Sequence, residues 1–158
     1  MTTETRMRLK AALNRNRRRL NRPILAKRLS EAGLAFSPVS DIEQEALLAR
    51  FRANSVKSTG RDFPSMVEAG PWIAARIGVM PDMVVLMPND NEQDCAPAVL
   101  VEARAALRVI LETPAFPFRD GCYLFSQDGT SRLEIFPNHT RDGDIISVWF
   151  WGPVPDTV

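Results

Sequence analysis

The chain has 158 residues, of which 45% are hydrophobic and 25% charged. That is the mixture of a globular domain rather than of a disordered, fibrous or disulfide-built protein. Its longest uninterrupted apolar run is the five residues "MVVLM", far short of the roughly 20 needed to cross a bilayer as a helix, so no membrane span is expected. The net charge of +1 conceals a split: residues 1–28 carry ten Lys and Arg against Glu4 alone, net +9, while residues 29–158 carry ten against eighteen acids, net −8.

The opening "MTTETRMRLK" lacks the apolar stretch of a secretory signal. The two cysteines, Cys95 and Cys122, are too few for a disulfide framework or a zinc site. A cytoplasmic protein with reduced thiols is the expectation, organised as a single domain over 1–158. Within it, residues 1–33 form a basic helical arm, or a helical hairpin packed on the body.

At about 100° per residue Leu9, Ala12, Leu13 and Leu20 fall within roughly 60° of one line, interrupted by Asn16. This predicts an amphipathic helix with a narrow apolar seam and a broad basic back, either an appended basic arm or a basic helix docked on an acidic surface of the same domain. Pro23 is expected to open a second short helix, stopped by Gly33 at C′. Ser40 and Glu43 have capping-box spacing ahead of a third helix, with Ile42, Leu47, Leu48 and Phe51 as buried candidates. Residues 52–65 read as a loop, and the stretches on either side of Pro71 as short helical turns. Met83–Met87 reads as a strand buried on both faces. "PNDNEQDCAP" reads as a loop, and "VEARAALRVILE" as a helix with strong intrinsic preference.

The last forty residues alternate as strands. Asp128-Gly129 predicts a tight hairpin setting Phe125 opposite Arg132 and Tyr123 opposite Glu134. Asp142-Gly143 would likewise set Phe136 opposite Trp149 and Glu134 opposite Trp151, with Pro137 a candidate break. One face then carries Cys122, Leu124, Leu133, Ile135, Ile146, Val148 and Phe150. The other carries Tyr123, Phe125, Arg132, Glu134, Phe136, Ser147, Trp149 and Trp151. The fold expected is α+β: a helical N-terminal half, one buried strand and crossover helix, then a C-terminal antiparallel three-stranded meander.

No motif names a reaction. His139 is the only histidine, so a nucleophile could draw on one base at most, and metal ligands of catalytic type are too few. Cys122 sits in a predicted apolar strand, where a thiol is disfavoured as thiolate. The expectation is therefore no catalytic constellation, no metal and no cofactor. The mixed aromatic face is either covered by helices or an open platform of the residue types enriched in interface hot spots. From it comes the leading reading: a small intracellular protein-binding or inhibitory module of antitoxin or immunity type. It would occlude a partner protein with Tyr123, Phe125, Arg132, Glu134, Phe136, Trp149 and Trp151. The acidic body suits a cationic toxin or nuclease as that partner. The alternative is a nucleic-acid-associated protein gripping phosphates through Arg15, Arg17, Arg18, Arg19 and Arg22. Neither reading involves a membrane.

Overall fold

Eleven elements follow one another in the computed structural model, which describes residues 1–54, 57–89, 96–112, 118 and 120–153. In chain order they are α1 (Thr3–Glu31), β1 (Ser37–Pro38), α2 (Asp41–Ala53), β2 (Ser58–Phe63), α3 (Met66–Ile77) and β3 (Met83–Pro88). There follow β4 (Val99–Glu102), α4 (Ala103–Leu111), β5 (Cys122–Ser126), β6 (Arg132–Thr140) and β7 (Gly143–Trp151). The strands form one seven-stranded sheet in the order β1-β4-β3-β5-β6-β7-β2, every neighbouring pair antiparallel.

The fold is thus α+β, but the expected three-stranded meander is corrected: β5, β6 and β7 are three adjacent strands of a sheet more than twice that size. Two of its strands lie in the half read as helical. β2 comes from "STGRDF", which has little strand preference and lies within residues 52–65, where the sequence predicts a loop. It pairs with β7 across its whole length, Ser58 opposite Trp151 and Phe63 opposite Ile146, and that non-local pairing overrides local preference. Because β4 and β5 both run antiparallel to β3, they are parallel to each other. Helix α4, which joins them, is a true crossover on one face of the sheet.

Several local expectations hold for the reasons that motivated them. Ser40 and Glu43 form a capping box at the start of α2. Gly33 ends α1 with φ 72°, and the bonds Leu34 N–H to Leu29 O and Gly33 N–H to Ser30 O complete a Schellman close. The first hairpin has the predicted register, Tyr123 opposite Glu134 and Phe125 opposite Arg132. The second hairpin keeps the predicted faces but shifts by two residues: Arg141 and Asp142 make the turn, Glu134 faces Trp149 and Arg132 faces Trp151. Pro137 does not break β6. It pairs with Ile146 of β7 but lies beyond Ile135, where pairing with β5 ends, so on that other side no paired strand misses its N–H.

Helix α1 departs most from expectation. It runs through Pro23 as a single 29-residue helix, so there is no hairpin within 1–33. An interior proline costs about 3 kcal/mol, and here both sides of it are tied down. Leu25 and Leu29 beyond it are buried in the core, while Arg15, Arg18 and Arg22 before it are ion-paired to α2. "MVEAGPWIAARI" is likewise one helix, α3, with Pro71 inside it rather than at its first position.

The helices divide between the two faces of the sheet. Leu25 and Leu29 of α1, Ala69, Ile73 and Ile77 of α3 and Ala106, Val109 and Ile110 of α4 cover Val84, Leu86, Leu124, Leu133, Ile135, Val148 and Phe150. On the other face α2 lays Leu47 and Leu48 on Val85, Met87, Tyr123 and Phe125, with Phe51 partly buried against them. Ile42 of α2 points to solvent, 78% exposed, against the expectation that it is buried. The loop predicted over 88–97 falls largely on 90–95, outside the described residues, as does Cys95.

Candidate functional site

The second face of the sheet is covered unequally. Helix α2 sits over β3, β4 and β5, and among the described residues no helix lies over β7 and β2. Alternation brings three cross-strand rows to that uncovered half. Asp62, Ser147 and Phe136 share the first, Gly60, Trp149 and Glu134 the second, and Ser58, Trp151 and Arg132 the third.

Trp149 is the exposed centre, 42% accessible, its ring lying directly over Gly60. A Cβ at position 60 would collide with the indole carbons, so the glycine in β2 is what lets the ring lie flat. Trp151 is half-buried beside it, the two ring centroids 6.3 Å apart. One end of the patch is polar: the Asn138 amide donates to Ser147 Oγ at 2.8 Å, and Ser147 donates to the exposed Asp62 carboxylate at 2.7 Å.

Arg132 and Glu134 occupy the border between the covered and uncovered halves. They pair at 2.7 Å with little exposure. The guanidinium carbon lies 4.1 Å from the Phe51 ring centre and 4.3 Å from that of Trp151, a desolvated stacking position. Burial pushes the Glu134 carboxyl above its usual range, with Arg132 pulling the other way. Burial likewise lowers Arg132, opposed by Glu134. In both groups desolvation is the larger effect, so this pair is held in place by packing more than it holds the packing together.

The seven residues predicted for partner contact therefore separate. Trp149, Trp151, Arg132, Glu134 and Phe136 lie on or at the border of the open half. Tyr123 and Phe125 are buried under α2, where they support the patch without reaching its surface. Phe136 joins the two groups, its ring 5.3 Å from that of Tyr123. Asp62, Gly60 and Asn138 were not anticipated. The only trace of the first two was the alternation of Ser58, Gly60 and Asp62 against Thr59, Arg61 and Phe63 in a stretch read as loop.

The arginines of α1 are also redistributed. Arg15 pairs with Glu45 at 3.0 Å. Arg18, almost fully buried, reaches Asp41 at 3.4 Å and Glu45 at 3.2 Å, and Arg22 reaches Asp41 at 2.8 Å. The hydrogen bonds from Arg15 hold Glu45 below the usual carboxylate range. Arg19 donates to Asn16 at 2.9 Å and Arg17 is exposed. Over Arg15, Arg18 and Arg22 the basic back is thus docked on acidic residues of the same chain, one of the two arrangements that the charge split allows.

His139 is exposed and pairs with Asp144 at 2.7 Å. Cys122 is fully buried and its thiol is pushed up to about 12, which keeps it protonated and unreactive. No described helix is long and apolar enough to cross a membrane. No family model matches this chain, and comparison with curated proteins and with solved structures returns no significant match.

Proposed function

We propose that this protein is an intracellular protein-binding module of the inhibitory kind, of antitoxin or immunity type, which lays the open half of its sheet on a partner and occludes it. One observation carries the reading: Trp149, held flat and exposed over Gly60, stands on the uncovered half of the sheet one row from the exposed Asp62. A large ring held without rotational freedom anchors an interface at low entropic cost. The exposed Asp62 carboxylate suits a cationic partner such as a toxin or nuclease, because complementary fields speed encounter and reject wrong partners.

The phosphate-gripping reading draws less support, since Arg15, Arg18 and Arg22 are already paired to carboxylates of α2. Affinity capture from the native cell extract at low and high salt separates the two. A stoichiometric protein retained by the wild type and lost by Trp149→Ser and Asp62→Lys supports occlusion. Retention unaffected by both variants, or of nucleic acid alone with loss in salt, overturns it.

A further inference from the structure

Helix α1 carries a second feature, independent of the sheet face. Leu9, Leu13 and Leu20 of the apolar seam read from the sequence are joined beyond Pro23 by Ile24. This seam faces away from the body: these side chains are 52, 58, 61 and 52% exposed. The reason is helical phase. Because α1 is continuous through Pro23, Leu29 inside the core sets the rotation of every residue before it. Twenty residues at 100° place Leu9 about half a turn from Leu29. Arg18, against α2, is similarly opposed to Leu9 and Leu20. The seam runs from Leu9 to Ile24, fifteen rises of 1.5 Å or about 22 Å, and follows heptad spacing over Leu9, Leu13, Asn16 and Leu20.

We infer that this seam is the docking surface for an acidic amphipathic helix of a partner protein, seated as in a two-stranded coiled coil. Charge selects the occupant. Between Arg6 and Arg28 the helix has no acid, and the seam is flanked by the exposed Arg6, Lys10, Arg17 and Arg28 on one side and Arg19 on the other. A second copy would match the leucines well, antiparallel pairing setting Leu9 against Ile24 and Leu13 against Leu20. It would also set basic flank against basic flank. A partner helix with Glu or Asp beside its own apolar seam satisfies both requirements. A lipid surface fits less well. The seam is one residue wide, and Asn16 stands in it between Leu13 and Leu20. Its amide would lose water to acyl chains without return, whereas a facing helix can supply a polar partner.

The full-length protein is titrated with a three-heptad peptide carrying Leu at the seam positions and Glu on both flanks, and with the same peptide carrying Lys there. The expected result is micromolar binding of the Glu peptide, at least ten-fold weaker binding of the Lys peptide, and weakening in salt. Leu13→Ser with Leu20→Ser should weaken the Glu peptide at least ten-fold. These side chains are exposed, so the thermal midpoint and helix content should be unchanged. Lys10→Glu with Arg28→Glu should shift the preference toward the Lys peptide, a readout that misfolding cannot imitate. The inference is overturned by no binding of the Glu peptide at 200 µM, or by equal binding of both peptides. It is also overturned by a dimer in sedimentation that the leucine variant makes monomeric, or by seam-dependent binding to phosphatidylglycerol vesicles alone. None of these outcomes touches Trp149, so the occlusion reading stands or falls separately.

Discussion

Trp149 and Phe150 are adjacent in β7 and have opposite environments. Phe150 is 1% exposed in the core beneath α3, whereas Trp149 is 42% exposed on the uncovered side. Truncating a buried aromatic costs about 3 to 5 kcal/mol, from lost transfer free energy and the cavity left behind. Phe150→Ala should therefore lower the urea midpoint strongly and Trp149→Ser only slightly. Equal losses in the two variants would mean that Trp149 is scaffold, not surface. Glu134 is expected to show its burial in pH dependence. Its folded carboxyl titrates above the unfolded one, so the folded state holds the extra proton, and stability from this group falls as pH rises from the usual carboxyl range through the raised value. Urea melts of wild type and Glu134→Gln from pH 4 to pH 8 should show the variant gaining relative stability over that interval. A constant difference across the interval would refute the assignment.

Among the elements, α1 and α2 are joined by charges in very different settings. Arg18 is 3% exposed and serves both Asp41 and Glu45, so Arg18→Gln removes the buried cation they share and leaves each with only its outer partner, Arg22 or Arg15. A loss of about 1 to 3 kcal/mol is expected. Arg15 meets Glu45 at the open rim, and Arg15→Gln should barely move the midpoint, since exposed ion pairs are screened and entropically costly. Chemical denaturation of the two variants at one salt concentration checks the ranking, and a larger effect at Arg15 would contradict it. Glu45 adds a sign in pH: its folded carboxyl is depressed, so its contribution is present above the unfolded value and is lost as pH falls through the folded one.

At the scale of the molecule, the sheet order sets which parts open first. β3 and β5 lie inside the sheet with helices on both faces. β2 is an edge strand whose residues from Ser58 to Asp62 are exposed, and residues 1–10, which include the start of α1, are exposed throughout. Amide hydrogen exchange should therefore be slowest in β3 and β5, faster in β2, and near the unprotected rate over residues 3–10. Protection of residues 3–10 equal to that of β3 would show that this turn of α1 is covered in solution, against the open seam. The sharp division of charge also acts at this scale. The basic leader is neutralised in part on its own acidic body, leaving the remaining arginines and the leucine seam on the outer side of one long helix.

What the sequence determined by itself lies within a few residues of chain. The Ser40 and Glu43 cap, the Gly33 stop and the Asp128-Gly129 hairpin each depend on hydrogen bonds that close over three to five positions, so the residues present suffice to specify them. The two faces of β5, β6 and β7 were legible for the same reason, because side-chain alternation survives a register shift of two. Only tertiary structure decided the rest. β2 is a strand because β7, more than eighty residues later, offers it a partner. Trp149 is exposed and Tyr123 buried because α2 is wide enough to cover only half the sheet. The leucines of α1 point outward because a helix unbroken at Pro23 has a single phase, and that phase is set by Leu25 and Leu29 in the core. An apolar seam read from sequence states that something apolar belongs against it, and burial of the other face decided that this something is not the body of the same chain.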